Sequence, residues 1–386
     1  MSCQTSLDIP GGVLYSYTGM TDLDALLVLN HLRVGPITAR RLIDAFGSPS
    51  AIFSAAPNDL AAAAHISSDN VQRIRSWERD VKLDKVWHDL EREHIRLLTY
   101  TDPDYPALLK EIFDHPLLLY VKGELAARDS QAIAIVGTRS PTGYGRAVAR
   151  KWATQLAARG FTIVSGLARG IDTQAHWGAL EAKGRTIAVL GYGFGYIYPK
   201  ENAALFHNIT ETGAVISEYP YKRYQGKASF PLRNRLIAGL SRATLVVESR
   251  ESGGAMITAH FAAEYNRTVF AVPGPINAAT SAGTNRLIRD GATLVRSGAD
   301  ILEEFEFLFP PDKRTNAPAA AAPATPPAPV LEGIELQLFE ALLEPLTLDD
   351  LAQRTDISID KVTTAMLMLE LKGLVRVMPG KIYDRK

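Results

Sequence analysis

Alternating apolar runs and helical stretches predict an α/β fold, a Rossmann-like and mostly parallel sheet with helices on both faces. Three observations carry this expectation. Between residues 131 and 295, six short apolar runs (132–136, 161–164, 186–190, 214–216, 244–247 and 269–272) have the continuity of strands buried on both faces. The stretches between them, such as 146–159 and 256–266, carry helical spacing. Glycine-rich turns then follow several of the runs, at the carboxyl ends of strands where ligands gather in such folds.

The totals bound what such a chain can be. Its 386 residues exceed one ordinary domain, and a hydrophobic content of 46% supports sizeable cores. Forty-two basic residues balance 42 acidic ones, so any site for a polyanion is a local patch. Cys3 is the only cysteine, which excludes intramolecular disulfides and thiolate zinc sites and fits a reducing cytoplasm. No apolar run is long enough for a membrane span, and the first residues lack a signal-peptide pattern. A soluble, cytoplasmic protein is expected.

Residues 20–95 read as an N-terminal helical domain. Leu23, Leu26, Leu27 and Leu29 lie near helical spacing, Gly35-Pro36 interrupts, residues 39–46 resume, and a weaker pair follows through Val71, Ile74 and Trp77. The turn Val34-Gly35-Pro36-Ile37-Thr38 is helix-hairpin-helix-like (SAM-like in outline), with Thr38 where a glycine usually stands. Contact with DNA and plain helical packing both remain open for it. Residues 96–305 form the central Rossmann-like domain. Residues 306–330 are an Ala/Pro linker, uncharged from 315 to 330 and semi-rigid where it is extended. Residues 331–386 read as three short helices and a terminal hairpin, 374–377 and 381–383 joined through Met378-Pro379-Gly380, the outline of a winged helix. Its first half holds eight acids against one base, Arg354, which favours protein contact over DNA contact.

Chemistry concentrates in the central domain. Arginines stand where strands hand over to helices, at Arg139, Arg169, Arg233 and Arg235. A helix N-terminus is partly positive, so an arginine there calls for an anion between them. Several on one sheet point to a row of phosphates. The first turn, Gly137-Thr138-Arg139, can expose amides to an anion, as can the second, from Ser165 and Gly166 to Arg169 and Gly170. Asp172 in the second turn is a candidate helix cap. No acid closes the second run, so a ribose-binding carboxylate is missing and no nicotinamide cofactor is expected. Lys200, after the third run, is a further phosphate ligand. Tyr219 to Arg242 holds six basic residues, four aromatics and no acid, the interleaving that suits single-stranded nucleic acid. Within it Phe230, Arg233, Asn234 and Arg235 open a helix. The turn Ser252-Gly253-Gly254 either adds amides or serves packing. No G-x-x-x-x-G-K-[ST] and no H-E-x-x-H occurs, and His88 and His94 flank a charged helix, so neither an ATP cradle nor a metal site is expected.

Gly137-Thr138-Arg139, the Ser165 to Asp172 turn, Tyr198-Pro199, Phe230-Pro231-x-Arg233-Asn234-Arg235 and Ser252-Gly253-Gly254, in this order between residues 137 and 254, resemble the DprA/Smf family. The resemblance implies a protein that binds and shields single-stranded DNA during natural transformation and loads the recombinase RecA on it. It implies no enzymatic turnover and a pocket lined by Arg139, Ser165, Gly166, Lys200, Arg233 and Asn234. It further implies a homodimer through the helix that carries Leu287 and Ile288. The rival is a nucleotide-processing enzyme on the same fold. The Gly253-Gly254 turn resembles the loop of phosphoribohydrolases, but the loop's glutamate position falls at His260, leaving Glu248 and Glu251 as the carboxylates within reach.

Overall fold

The computed structural model describes residues 19–308 apart from 65, 225 and 227, and residues 333–385 apart from 343, 344, 373 and 379–381. Cys3, Lys227, the 315–330 linker and the tip of the terminal hairpin therefore lie outside the described residues. The chain divides into two compact units on either side of residue 310.

A nine-stranded sheet organises the larger unit. Its strands are β1 Arg96–Thr99, β2 Leu118–Gly123, β3 Ala132–Val136, β4 Thr162–Ser165, β5 Thr186–Leu190, β6 Ala214–Ser217, β7 Ala243–Val246, β8 Thr268–Ala271 and β9 Thr293–Leu294. They run in the order β1-β2-β6-β5-β4-β3-β7-β8-β9. From β6 to β9 every pairing is parallel, while β2 is antiparallel to both β1 and β6. The six expected strands are present to within a residue at each end. The sequence reading omitted β1, β2 and β9. The first two form an antiparallel edge without crossover helices, and β9 has two residues.

Strand residues alternate between two cores, as the pleat requires. Ile133, Ile135, Ile163, Leu245 and Phe270 face the helices Gly143–Ala158, Ile171–Glu181 and Gly298–Leu308. Ala134, Val136, Val164 and Val246 face the helices Ser229–Gly239 and Gly254–Glu264. Both faces are covered, which explains why the runs read as continuously apolar. Strand order reverses beside β3, where β4 lies on one side and β7 on the other. That reversal leaves a crevice at the carboxyl ends.

The N-terminal helices dock on the sheet. Thr21 and Asp24 close a capping box at the helix Asp22–His31, and Pro36 opens the helix Pro36–Phe46. Leu26, Leu27 and Leu29 share one core with Tyr120, Leu190, Phe206 and Val215 of the sheet unit. Each such leucine contributes about 1.5–3 kcal/mol by leaving water. Asn30 ties the junction, donating to the Glu218 carbonyl (2.9 Å) and accepting from the Tyr120 hydroxyl (3.1 Å).

Arg235, expected beside phosphate, belongs instead to this framework. Its buried guanidinium is held by Glu218 (2.6 Å) and Asp114 (3.3 Å), and Tyr265 donates to the other Asp114 oxygen. The anion that its position calls for is internal. His176 is also buried. The Thr186 hydroxyl gives its proton to the Ile163 carbonyl, so His176 Nδ1 donates to Thr186 Oγ1 (2.6 Å), while Nε2 accepts from the Leu167 amide. Both nitrogens are satisfied by the neutral ring, and burial lowers its pKa to about 3.

The C-terminal unit has the winged-helix outline. Helices Ile334–Ala341, Leu348–Thr355 and Ile359–Leu371 enclose Leu338, Leu351, Val362, Met366 and Leu369. A three-stranded sheet of β10 Leu346–Thr347, β12 Ile382–Arg385 and β11 Val375–Met378 completes it. No helix among the described residues is long and apolar enough to cross a membrane.

Two outcomes follow for stability. Arg235→Ala strands two buried carboxylates and is expected to cost about 3–5 kcal/mol in urea unfolding, whereas the exposed Arg139→Ala stays within about 0.5 kcal/mol. The folded pKa of His176 lies below its ordinary 6.5, so its contribution is complete above pH 6.5 and is lost as pH falls toward 3. Urea midpoints are expected to decline across that window, and less steeply for His176→Gln.

Candidate nucleic-acid interface

A cleft of about 630 Å³ lies at the strand-order reversal, built from the loops after β3 and β7 and the start of the helix Ser229–Gly239. Of the residues expected from sequence, Gly137, Thr138, Arg139, Phe230, Arg233, Asn234, Gly253 and Gly254 line it. Ser165, Gly166, Arg169, Lys200 and Arg235 do not.

Several amides of the first two turns are already spent. After β3, Thr138 N–H donates to the Glu248 carbonyl (2.7 Å), Thr142 N–H to the Glu248 carboxylate (2.9 Å), and Gly145 N–H to Thr142 Oγ1 (3.1 Å). Glu248 thus takes the helix-start position that a phosphate would occupy. It is buried, and its second oxygen accepts from the Thr142 hydroxyl (2.5 Å). Gly137 answers a packing need, because a Cβ there would come 2.5 Å from Ile171 Cγ1. After β4, the Asp172 carboxylate accepts from Gly166 N–H (3.1 Å) and Ala168 N–H (3.4 Å). It folds its own turn and does not cap the helix, whose N-cap is Gly170.

Arg233 crosses beneath the cleft. Its guanidinium donates to the Gly166 carbonyl (2.8 Å) and to the Val189 carbonyl, and a Cβ on Gly166 would come 2.5 Å from its Nη2. Burial pulls its pKa down and Asp172 beside it pulls the other way. Burial raises the Asp172 pKa, and Arg233 offsets that. The guanidinium is buried and held by two main-chain carbonyls, with Asp172 near enough for its charge to be felt, so Arg233 is a floor of the cleft more than a free hand. Arg233→Glu would set a second buried acid beside Asp172, which removes it as a clean probe of binding.

Other expected ligands are engaged elsewhere. Arg169 is exposed and paired with Glu201, Ser165 Oγ is buried and donates to the Ile135 carbonyl (2.7 Å), and Lys200 is exposed outside the cleft. Leu287 and Ile288 are half-buried on the helix Ala282–Arg289, where Leu287 packs toward the sheet.

What remains available is narrower. Arg139 is exposed, with its guanidinium 5.3 Å above the Phe230 ring. Arg250, exposed after the neighbouring strand β7, also lines the cleft and was not singled out from sequence, although it too follows a strand end. The helix Gly254–Glu264 starts at Gly253 without a side-chain cap, and no acceptor among the described residues takes the Gly254 and Ala255 amides. Asn234 steadies this turn by donating to the Gly254 carbonyl (3.1 Å). Aromatic rings form the remaining wall. Tyr196 meets Tyr224 edge-on at 5.2 Å, and Phe230 lies 5.9 Å from Tyr198 and 6.4 Å from Tyr192. Tyr224 is 72% exposed. Among the described residues lining the cleft the one acid, Asp172, is taken up by two main-chain amides and feels the nearby charge of Arg233. Among the described residues no group of His, Cys, Asp or Glu could hold a metal ion.

Comparison with known proteins agrees with this architecture. Residues 96–306 match the family model of DNA recombination-mediator protein A, and residues 322–381 match that of the DprA winged helix domain. Protein Smf of Synechocystis is 36% identical, covering 92% of this chain and 96% of its own. The DNA processing protein DprA of Streptococcus pneumoniae is 42% identical over 60% of this chain and 81% of its own. A solved structure of that S. pneumoniae protein superposes with a TM-score of 0.66 at 32% identity, covering 75% of this chain and all of its own. DNA processing protein A of Helicobacter pylori, solved for its single-stranded DNA binding mode, gives a TM-score of 0.50 at 30% identity over 55% and 96%. With matches over this extent, in the same order as the motifs, the chain belongs to the DprA/Smf family of DNA recombination-mediator proteins.

Proposed function

We propose that this chain binds single-stranded DNA in the strand-end cleft and acts as a recombination mediator without catalytic turnover. The observation that carries the reading is that two exposed arginines, Arg139 and Arg250, share the cleft with a wall of aromatic rings, while Asp172, the one acid among its described lining residues, is taken up by two main-chain amides. The two charges suit a sugar-phosphate backbone, and the open amides of Gly254 and Ala255 add a third anchor. Rings stack unpaired bases without sequence preference, at about 1–3 kcal/mol per base. A duplex offers no free base faces to such a wall. The H. pylori relative's single-stranded DNA binding supports the same assignment.

The hydrolase alternative lacks its reagent. Glu248 is buried with both oxygens engaged by Thr142, and Glu251 is exposed outside the cleft wall. Among the described residues no carboxylate of the cleft is free to meet a reacting carbon. The resemblance to the family adds three further elements to the proposal: delivery of the strand to RecA, work in the cytoplasm during transformation or other recombination, and a homodimer.

Titration against labelled single-stranded and duplex oligonucleotides tests the core of this. Arg139→Glu is expected to weaken single-strand binding at least tenfold and flatten the salt dependence, with an unchanged unfolding midpoint. Equal affinity in wild type and variant removes Arg139 from the site. For the dimer, Leu287→Arg is expected to give a monomer by light scattering; a persistent dimer places the contact elsewhere.

A further inference from the structure

We propose that a second cleft, between the N-terminal helical turn and the sheet, takes one more phosphate of the same strand, with its base against the apolar rim. This rests on the single-strand reading of the strand-end cleft and extends it to the helical segment.

The second cleft has a volume of about 440 Å³. The turn from Arg33 to Thr38 forms one wall, and Tyr219, Pro220, Arg223 and Leu232 form another. Arg33 is exposed, its backbone is left-handed (φ 63°), and no ion pair engages it among the described residues. Burial, and then the charge of Arg33 nearby, hold the Arg223 guanidinium below its ordinary pKa. Two like charges thus converge on one cleft, an arrangement that a bound anion turns from repulsive to attractive. The helix Pro36–Phe46 begins in the same wall with no side-chain acceptor at its N-cap, Gly35. A further observation comes from the framework. Arg235 is 5% exposed, lines this cleft, and leaves Nη1 without a partner.

Charge selects the occupant. Arg33, Arg223 and Arg235 face Glu218 and Asp114 around the cleft, so three positive charges less two negative leave one. One phosphodiester matches that remainder, while a run of acidic side chains exceeds it. The rim is apolar, with Ile37 41% and Leu232 57% exposed, as a base face requires. Continuity supplies the route. Tyr219, Pro220, Arg223 and Leu232 line this cleft while Tyr224, Phe230, Pro231 and Arg233 line the strand-end cleft. A single segment is therefore the shared wall of both, and a strand leaving the aromatic rings crosses it into the second cleft.

The test compares an oligothymidylate of about 6 nucleotides with one of about 20, by anisotropy at several salt concentrations. Arg33→Glu and Ile37→Glu, both exposed positions, are expected to weaken the long strand about tenfold. Binding of the short strand should stay within about twofold. Arg33→Glu should also reduce the salt slope for the long strand by about 0.7, one phosphate's share. Long-strand affinity and slope unchanged in both variants overturn the second contact, provided short-strand binding still depends on Arg139. If wild type binds neither strand, or Arg139→Glu leaves short-strand binding intact, the strand-end reading fails instead. An acidic peptide bound by wild type but not by Arg33→Glu, with long-strand affinity unchanged, assigns the cleft to a protein tail and overturns the proposal.

Discussion

The buried guanidinium of Arg233 is the constraint on which the strand-end cleft depends. It reaches the carbonyls of Gly166 and Val189, at the ends of neighbouring strands, and lies beside Asp172. Asp172 in turn gathers the amides of Gly166 and Ala168, so the loop after β4 is wound around this carboxylate and the Arg233 guanidinium that holds the Gly166 carbonyl. Removing the guanidinium would leave the buried carboxylate without that compensating charge, at a cost of several kcal/mol. The helix carrying Arg233 also carries Phe230 and Asn234, which supply the ring under Arg139 and the brace for the Gly254 turn. One buried guanidinium therefore fixes a helix start whose other residues face the cleft, and Asn234 Oδ1 accepts directly from its Nε (3.2 Å).

Much of the fold was legible because its signal is local. A strand covered on both faces must be apolar throughout, and β3 to β8 are short, continuous and separated by helical spacing. β1 and β2 escaped because their pairing is antiparallel and no crossover helix announces it. Docking of the N-terminal helices was not readable either. Leu26 and Phe206 show no sign in the sequence that they share a core.

The site was legible as a set of positions and less so as a set of roles. An arginine at a helix start does call for an anion, and that premise holds for Arg233 and Arg235. Arg233 feels the charge of Asp172, and Arg235 is paired with Glu218 and with Asp114, the last 121 positions before it, a pairing that only the folded chain makes. Glycine-rich turns likewise read as open amides, yet Glu248 and Asp172 had already filled two of them. The turn at Gly253, whose sequence left packing and binding equally open, keeps its amides. Arg250 follows the same strand-end rule as Arg139 and stood outside the motifs that drew attention.

The shared core beneath the N-terminal helices changes how the chain can be divided. Leu190, Phe206 and Val215 are fully or almost fully buried in the core that the sheet shares with that helical layer. Removing residues 19–95 would not release a smaller working protein. It would uncover an apolar sheet face, along with the half of the second cleft that the helices provide. The helical segment is thus part of the sheet's own insulation from water, and a chain without it needs another cover over that core.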